Sequence, residues 1–231
     1  MTEIIGFAQI AMDVPHFDDV TAFIDGNWQP HFNKNDYEGN WEVLTLRSPG
    51  GNPDRIYADL MGQTQFADTP YMEMVTSVKA LVASLHCPIL SVRLLNLKAG
   101  AIIKQHRDAE LAFEKGAARL HFPILTNDRV EFYVNNILVN MQPGTCWYIN
   151  ANMPHRVANY GTTDRIHLVI DCEVNQWLKD VFARSEKATF KQAINIEQTQ
   201  QMIDALRLHQ TETSNKMADE LELQLIAAVN T

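Results

Sequence analysis

The sequence predicts a mainly β protein, a double-stranded β-helix of the jelly-roll type, flanked by an N-terminal helix and a C-terminal helical segment. Three observations predict it. Between residues 90 and 172 there are eight short β-rich runs: LSVRLLNL, AIIKQH, RLHFPILT, VEFYV, ILVNM, TCWYI, HRVANY and RIHLVIDC. Turn signals separate them. Asn135-Asn136 tolerates the positive φ of a two-residue hairpin, and Pro143-Gly144 and Gly161-Thr162 supply further turns. Outside this block, apolar residues recur mostly at helical rather than alternating spacing. Strands this short and this evenly spaced suggest a closed double sheet.

Taken from the N-terminus, Ile4 to Ile10 reads as a strand, followed by polar, aromatic segments around HFDD and HFNKNDYEGNW. WEVLTLR (41–47) is strand-like, SPGGNPD forces a loop, and RIYADL completes hairpin or lid material. Thr69-Pro70 is expected to open a helix, with Thr as N-cap and Pro at the first position. Val75, Val78, Val82 and Leu85 follow at helical spacing. After Cys172, NQWLKDVFAR reads as helical, as do Met202, Ile203 and Leu206 and then Met217, Leu221, Leu225, Ile226 and Val229. Residues 1–172 are expected to form the jelly-roll domain, with 90–172 its core. Residues 173–231 form the helical segment, which caps the barrel or pairs with a second subunit as a homodimer.

Composition narrows the partners. At 231 residues and 46% hydrophobic, the chain can bury a full core. Its 19 Lys and Arg against 28 Asp and Glu give a net charge of −9, which disfavours nucleic acid and anionic membranes and leaves small molecules or proteins. The apolar N-terminus carries Glu3 where a signal peptide wants a basic residue, so the expected setting is soluble and cytoplasmic. Cys87, Cys146 and Cys172 are too few and too scattered for a disulfide framework and form no Cys-x-x-Cys pair, in keeping with a reducing compartment.

Chemistry enters with AIIKQHRDAELAF, where His106 and Asp108 stand one residue apart at the end of a strand. Residues i and i+2 of a strand share a face, so both can approach one ion. The pair alone means little, since roughly every second chain of this kind carries one by chance. A third ligand is needed, and His155, opening a later strand after a Pro-fixed turn, is the candidate. Two neutral imidazoles and one carboxylate on one face leave adjacent positions open, which suits non-haem Fe(II); zinc prefers a closed tetrahedron. Arg165, ten residues after His155, can project into the same cavity, and its planar fork matches the far carboxylate of a diacid.

The runs RLLNLKAGAIIKQHRDAE, RLHFPILTN, GTCWYINANMPHRV and DRIHLVID together resemble the aspartyl/asparaginyl β-hydroxylase family of Fe(II)/2-oxoglutarate dioxygenases, in particular its bacterial proline cis-hydroxylase branch. The resemblance implies that His106, Asp108 and His155 are the iron ligands and catalytic residues, that Arg165 holds the distal carboxylate of 2-oxoglutarate, and that O2 is the second co-substrate. It also implies that His121 contacts the co-substrate, that Arg119 lies near the co-substrate or substrate carboxylate, and that Arg93 contacts substrate. Vertebrate members acting on protein domains lack the carboxylate ligand. Asp108 therefore places this chain with the small bacterial enzymes, and it favours hydroxylation over chlorination, because halogenases of this chemistry replace the carboxylate with a small residue.

The activity so implied is hydroxylation of an unactivated C–H bond of a free amino acid, proline or another, giving succinate and CO2. Hydroxylation of a residue within a small peptide or natural-product precursor is the alternative, and a cupin-like metal-binding protein without oxygenase activity is a second; an arginine at 165 speaks against the latter. The loops at 48–54 and 109–117 are expected to shape the substrate pocket. His167 shares a strand face with Arg165 and is read as structural, Trp147 and Tyr148 as core, and Glu110 and Lys115 as solvated. His16, His31, His86 and His209 are given no role.

Overall fold

The computed structural model describes residues 2–23, 28–56, 64–108, 111–192 and 196–229. RIYADL and Glu110 lie wholly or largely outside them. The chain divides into two compact units, residues 6–188 and residues 1–5 with 189–231.

In the first unit, strands β1 (Thr2–Ile10), β2 (Gln29–Pro30), β3 (Tyr37–Glu38), β4 (Trp41–Pro49) and β5 (Phe66–Asp68) precede the eight runs of the central block. Those runs form β6 (Ile89–Leu97), β7 (Ile102–His106), β8 (Ala117–Leu125), β9 (Val130–Val134), β10 (Ile137–Leu138), β11 (Cys146–Ile149), β12 (His155–Asn159) and β13 (Arg165–Glu173). The larger sheet runs β1-β11-β8-β13-β6-β4-β2, with β5 also on β4; the smaller runs β10-β9-β12-β7-β3. The pairs along both are antiparallel, as a jelly roll requires. Asn135 (φ 47) and Asn136 (φ 65) turn the β9–β10 hairpin as the sequence predicts, with Ile137 paired to Val134.

Register places the polar residues. On the larger sheet Arg119, Asp171 and Ser91 lie side by side, and beside them run the rows His121–Val169–Arg93–Thr45, Pro123–His167–Leu95–Val43 and then Arg165–Leu97–Trp41. All of these share one face by the two-residue repeat of a strand. That face meets the smaller sheet, where Phe132 of β9 packs against His121 at 5.7 Å between ring centroids. The remaining core is apolar, with Leu44, Leu46, Leu94, Leu120, Phe122 and Ile170 among its fully buried side chains.

The helices depart from expectation in two places. Pro70–Met74 forms a 3-10 turn, and α2, the second helix after α1 (Asp18–Phe23), begins only at Thr76 and runs to Ser84. Thr69 does not cap it, because its hydroxyl donates instead to Thr45 O at 2.8 Å and so ties the turn to β4. After α3 (Gln176–Ala183), which Asn175 caps through its side chain, the chain forms a strand, β14 (Glu186–Gln192), within the segment expected to be helical. Half-buried Ala188 and Phe190 alternate there with exposed Lys187, Thr189 and Lys191, a period of two that a search for helical spacing passes over. In the second unit, α4 (Ile196–Leu208) and α5 (Glu212–Val229) form a helical hairpin linked by Arg207, whose Nη2 lies 2.5 Å from Asp219 and 3.1 Å from Glu222. Among the described residues, no helix is long and apolar enough to cross a membrane.

Candidate active site

β12 pairs with β7 so that His155 stands opposite His106. The turn before β12 holds the third member, because Ala151 O accepts the Asp108 N–H at 2.8 Å and Asn152 O accepts from Arg107 Nη1 at 3.0 Å. The result is a cluster of His106, Asp108 and His155 whose candidate ligand atoms all lie within 4.8 Å of one another. The two imidazole centroids are 4.2 Å apart, and His106 Nε2 is 3.8 Å from Asp108 Oδ1.

The donor set fits a metal ion. His106 Nδ1 donates to Lys104 O at 2.8 Å and His155 Nδ1 to Met153 O at 3.0 Å, so in each ring the proton sits on Nδ1 and the Nε2 lone pair is free. Burial, then the neighbouring His106, pushes the His155 imidazole down to about 4, so it is neutral and ready to ligate at neutral pH. Burial alone would raise the Asp108 carboxyl, but Arg119, with His155 and His106, outweighs it and holds the group below the usual range. Asp108 Oδ2 accepts from Arg119 Nη1, which leaves Oδ1 toward the imidazoles.

A second group lies on the inner face of the larger sheet. Arg165 is 2% exposed, and among the described residues its guanidinium meets no carboxylate. Nη2 donates to His167 Nδ1 at 2.8 Å, the charge centre stands 5.6 Å from the Phe132 ring, and Nε has no hydrogen-bond partner. Burial pushes this guanidinium down to about 9, so it remains a cation at neutral pH. His121 Nδ1 is likewise buried without a partner among the described residues. Buried donors left open in this way fit an anionic ligand that would satisfy them. A cavity of ≈ 320 Å3 opens against Arg165, His167 and Phe132, with Asn140 and Gln142 on its rim.

A family model for aspartyl/asparaginyl β-hydroxylase matches residues 15–174. The chain belongs to that family. Over 138 residues, 58% of this chain and 47% of the relative, it is 29% identical to L-proline cis-3-hydroxylase 2 of a Streptomyces species. It is 28% identical to L-proline cis-4-hydroxylase of Rhizobium meliloti over 58% of this chain and 48% of the relative. The chain thus spans about half the length of these relatives. Among solved structures, a 2OG-Fe(II) oxygenase family oxidoreductase from Burkholderia pseudomallei is similar with a TM-score of 0.45 at 13% identity, covering 73% of this chain and 85% of that one.

Within this chain, Arg119 and Arg93 are both tied to Asp171. Arg119 donates through Nε at 2.7 Å to Oδ1 and Nη2 at 3.1 Å to Oδ2, and Arg93 Nη2 reaches the same Oδ2 at 2.6 Å. Each guanidinium keeps N–H bonds beyond these, Arg93 Nε among them. Tyr148 is buried, its hydroxyl accepting from the Phe113 N–H at 2.8 Å, and Trp147 Nε1 donates to Thr145 Oγ1 at 2.9 Å.

Two residues given no role in the sequence lie here. Asp171 was hidden in the apolar run HLVIDC, where a lone carboxylate amid β-branched residues was the available signal, since a buried acid must have a partner. His31, 8% exposed, stacks on Trp41 at 3.5 Å between centroids, and its backbone N–H donates to Trp41 O at 2.8 Å. Burial, then the charge of Arg93, pushes its imidazole down to about 3, with Arg119 adding to the effect and Asp108 opposing it. It is therefore a neutral side chain at neutral pH.

Proposed function

We propose that this protein is an Fe(II)- and 2-oxoglutarate-dependent dioxygenase that hydroxylates an unactivated C–H bond of a free amino acid, with succinate and CO2 as co-products. The observation that carries this reading is Arg165, a buried guanidinium without a carboxylate partner among the described residues, on the inner face of the barrel that holds the His106–Asp108–His155 cluster. A metal-binding barrel that used no diacid would gain nothing from leaving that charge uncompensated.

In this reading His106 and His155 would hold iron through Nε2 and Asp108 through Oδ1. Iron with 2-oxoglutarate and O2 supplies the oxidising chemistry. The protein positions and shields. Arg165 grips the distal carboxylate of the co-substrate through its fork, with His167 fixing the guanidinium plane through Nη2. His121 offers its buried ring nitrogen toward the co-substrate, and the remaining N–H bonds of Arg119 and Arg93 face an anionic group of co-substrate or substrate. His31, held neutral, offers a hydrogen bond without adding charge. Apolar neighbours such as Phe132 and Trp41 keep water out, which strengthens each polar contact. The family relationship and the two proline hydroxylases among the relatives support an amino acid as substrate.

Aerobic incubation with Fe(II), 2-oxoglutarate and a panel of free amino acids tests the proposal. Succinate release that depends on one amino acid, with a product heavier by one oxygen, is the expected result. Co-substrate turnover only with short peptides would move the substrate to the peptide class, and no succinate with either would contradict the activity.

A further inference from the structure

Asp171 is completely buried on β13 and takes four donors: Ser91 Oγ at 2.8 Å, Arg93 Nη2 at 2.6 Å, and Arg119 Nε and Nη2 at 2.7 and 3.1 Å. Arg119 sits directly opposite it on β8, and Ser91 directly opposite on β6. With two nitrogens of its guanidinium, Nε and Nη2, committed to Asp171, Arg119 turns its third nitrogen, Nη1, onto Asp108 Oδ2. Asp108 thereby keeps its other oxygen on the side of His106 and His155.

We propose that Asp171 is a positioning residue for the metal centre, acting through Arg119: it locks the guanidinium so that one oxygen of Asp108 is held back and the other is presented to the ion. The proposal rests on the metal reading given above. Three features separate this role from that of an ordinary core ion pair. Arg119 spans two carboxylates, so its orientation is transmitted to a ligand atom. The pairing is set by the register of three adjacent strands, which leaves the guanidinium little freedom. The charges also balance: Arg93 and Arg119 against Asp108 and Asp171 sum to zero, whereas without Asp171 two buried guanidiniums would face an incoming dication across a single carboxylate. Supports one step removed from a ligand typically alter metal affinity by about 10- to 100-fold.

The test uses Mn(II) and Co(II) on the full chain without co-substrate, so that it reads the ion site and not turnover. D171N keeps the size and one acceptor oxygen of the side chain. Folded D171N, judged by circular dichroism, is expected to bind Mn(II) at least about tenfold more weakly than wild type and to show shifted Co(II) d–d bands, while S91A, which removes one of four donors, shifts affinity by less than about threefold. Should D171N not fold, R119K cuts the same bridge from its other end, keeping the charge and losing the fork, and is expected to show the same weakening. Wild-type Mn(II) affinity and an unchanged Co(II) spectrum in folded D171N, or in R119K, would overturn the proposal while leaving the metal reading intact. Failure of the wild-type chain to bind either ion would instead remove the metal reading, and this inference with it.

Discussion

Arg119 and Arg165 occupy one face of one sheet and both are largely buried, yet their surroundings are opposite. Arg119 bridges Asp171 and Asp108, and Arg93 beside it shares Asp171. Arg165, six residues from Asp171 along β13, finds an imidazole and an aromatic ring and no carboxylate among the described residues. Burying a charge is costly unless a counter-charge and hydrogen bonds compensate it. The paired arginines have their charge met within the fold, whereas Arg165 holds a charge whose natural partner is a ligand. A guanidinium whose charge is compensated fixes geometry; one whose charge is not is ready to bind.

Breaking the paired end should have the largest effect. R93M leaves Asp171 buried with one cation fewer, so the midpoint of chemical unfolding should correspond to a loss of about 4 kcal/mol. A loss below about 1 kcal/mol would mean the pair contributes nothing that an apolar side chain cannot replace. R165M asks the same question of the unpaired end and predicts the reverse pattern. The apo protein should keep or gain stability, because an uncompensated charge is removed, while 2-oxoglutarate affinity measured calorimetrically with Mn(II) in the site should fall by about 100-fold. Equal co-substrate affinity in wild type and R165M would erase the contrast.

Acidity sharpens the contrast from another side. His155 and His31 have folded-state values depressed by burial to about 4 and about 3, while the unfolded chain protonates near 6.5. Between those limits the unfolded state binds more protons, so the stability these rings contribute is present above about 6.5 and is lost as pH falls toward 4. Thermal melts at pH 7 and pH 5.5 should differ by an amount equivalent to about 2.5 kcal/mol for the two rings together, and a flat profile would show that these rings are not neutral in the fold. The smallest effect belongs to an arginine outside the barrel. Arg156 lies 4.0 Å over the Tyr133 ring and donates to Asn136 at the surface, so R156A should cost at most about 1 kcal/mol and leave metal and co-substrate binding unchanged.

Much of this was legible in the sequence where the information is local. Each of the eight runs became a strand because alternating β-branched residues and Asn or Gly turns specify a strand within a few positions. His106 and Asp108 were visible as a His-x-Asp pair at a strand end, although β7 stops at His106 and Asp108 is held by its N–H to Ala151 O, and His155 was visible because a Pro-fixed turn precedes it. Asp171 was not visible, since its partners Ser91, Arg93 and Arg119 come from strands that only the sheet register brings together. His31 depended on the return of β4 past β2, which places Trp41 beneath it. β14 was passed over because its half-buried positions carry only Ala188 and Phe190 among polar residues. The early helix start failed because Thr69 spends its hydroxyl on β4.

The central claim is that three separated side chains hold one ferrous ion beside a guanidinium that receives a diacid. Anaerobic titration of the protein with Fe(II) and then 2-oxoglutarate tests it most directly. The account predicts a weak visible charge-transfer band in wild type that is absent in H155A and that needs about 100-fold more co-substrate in R165M. A wild-type protein that gives no band at saturating Fe(II) and 2-oxoglutarate would contradict it.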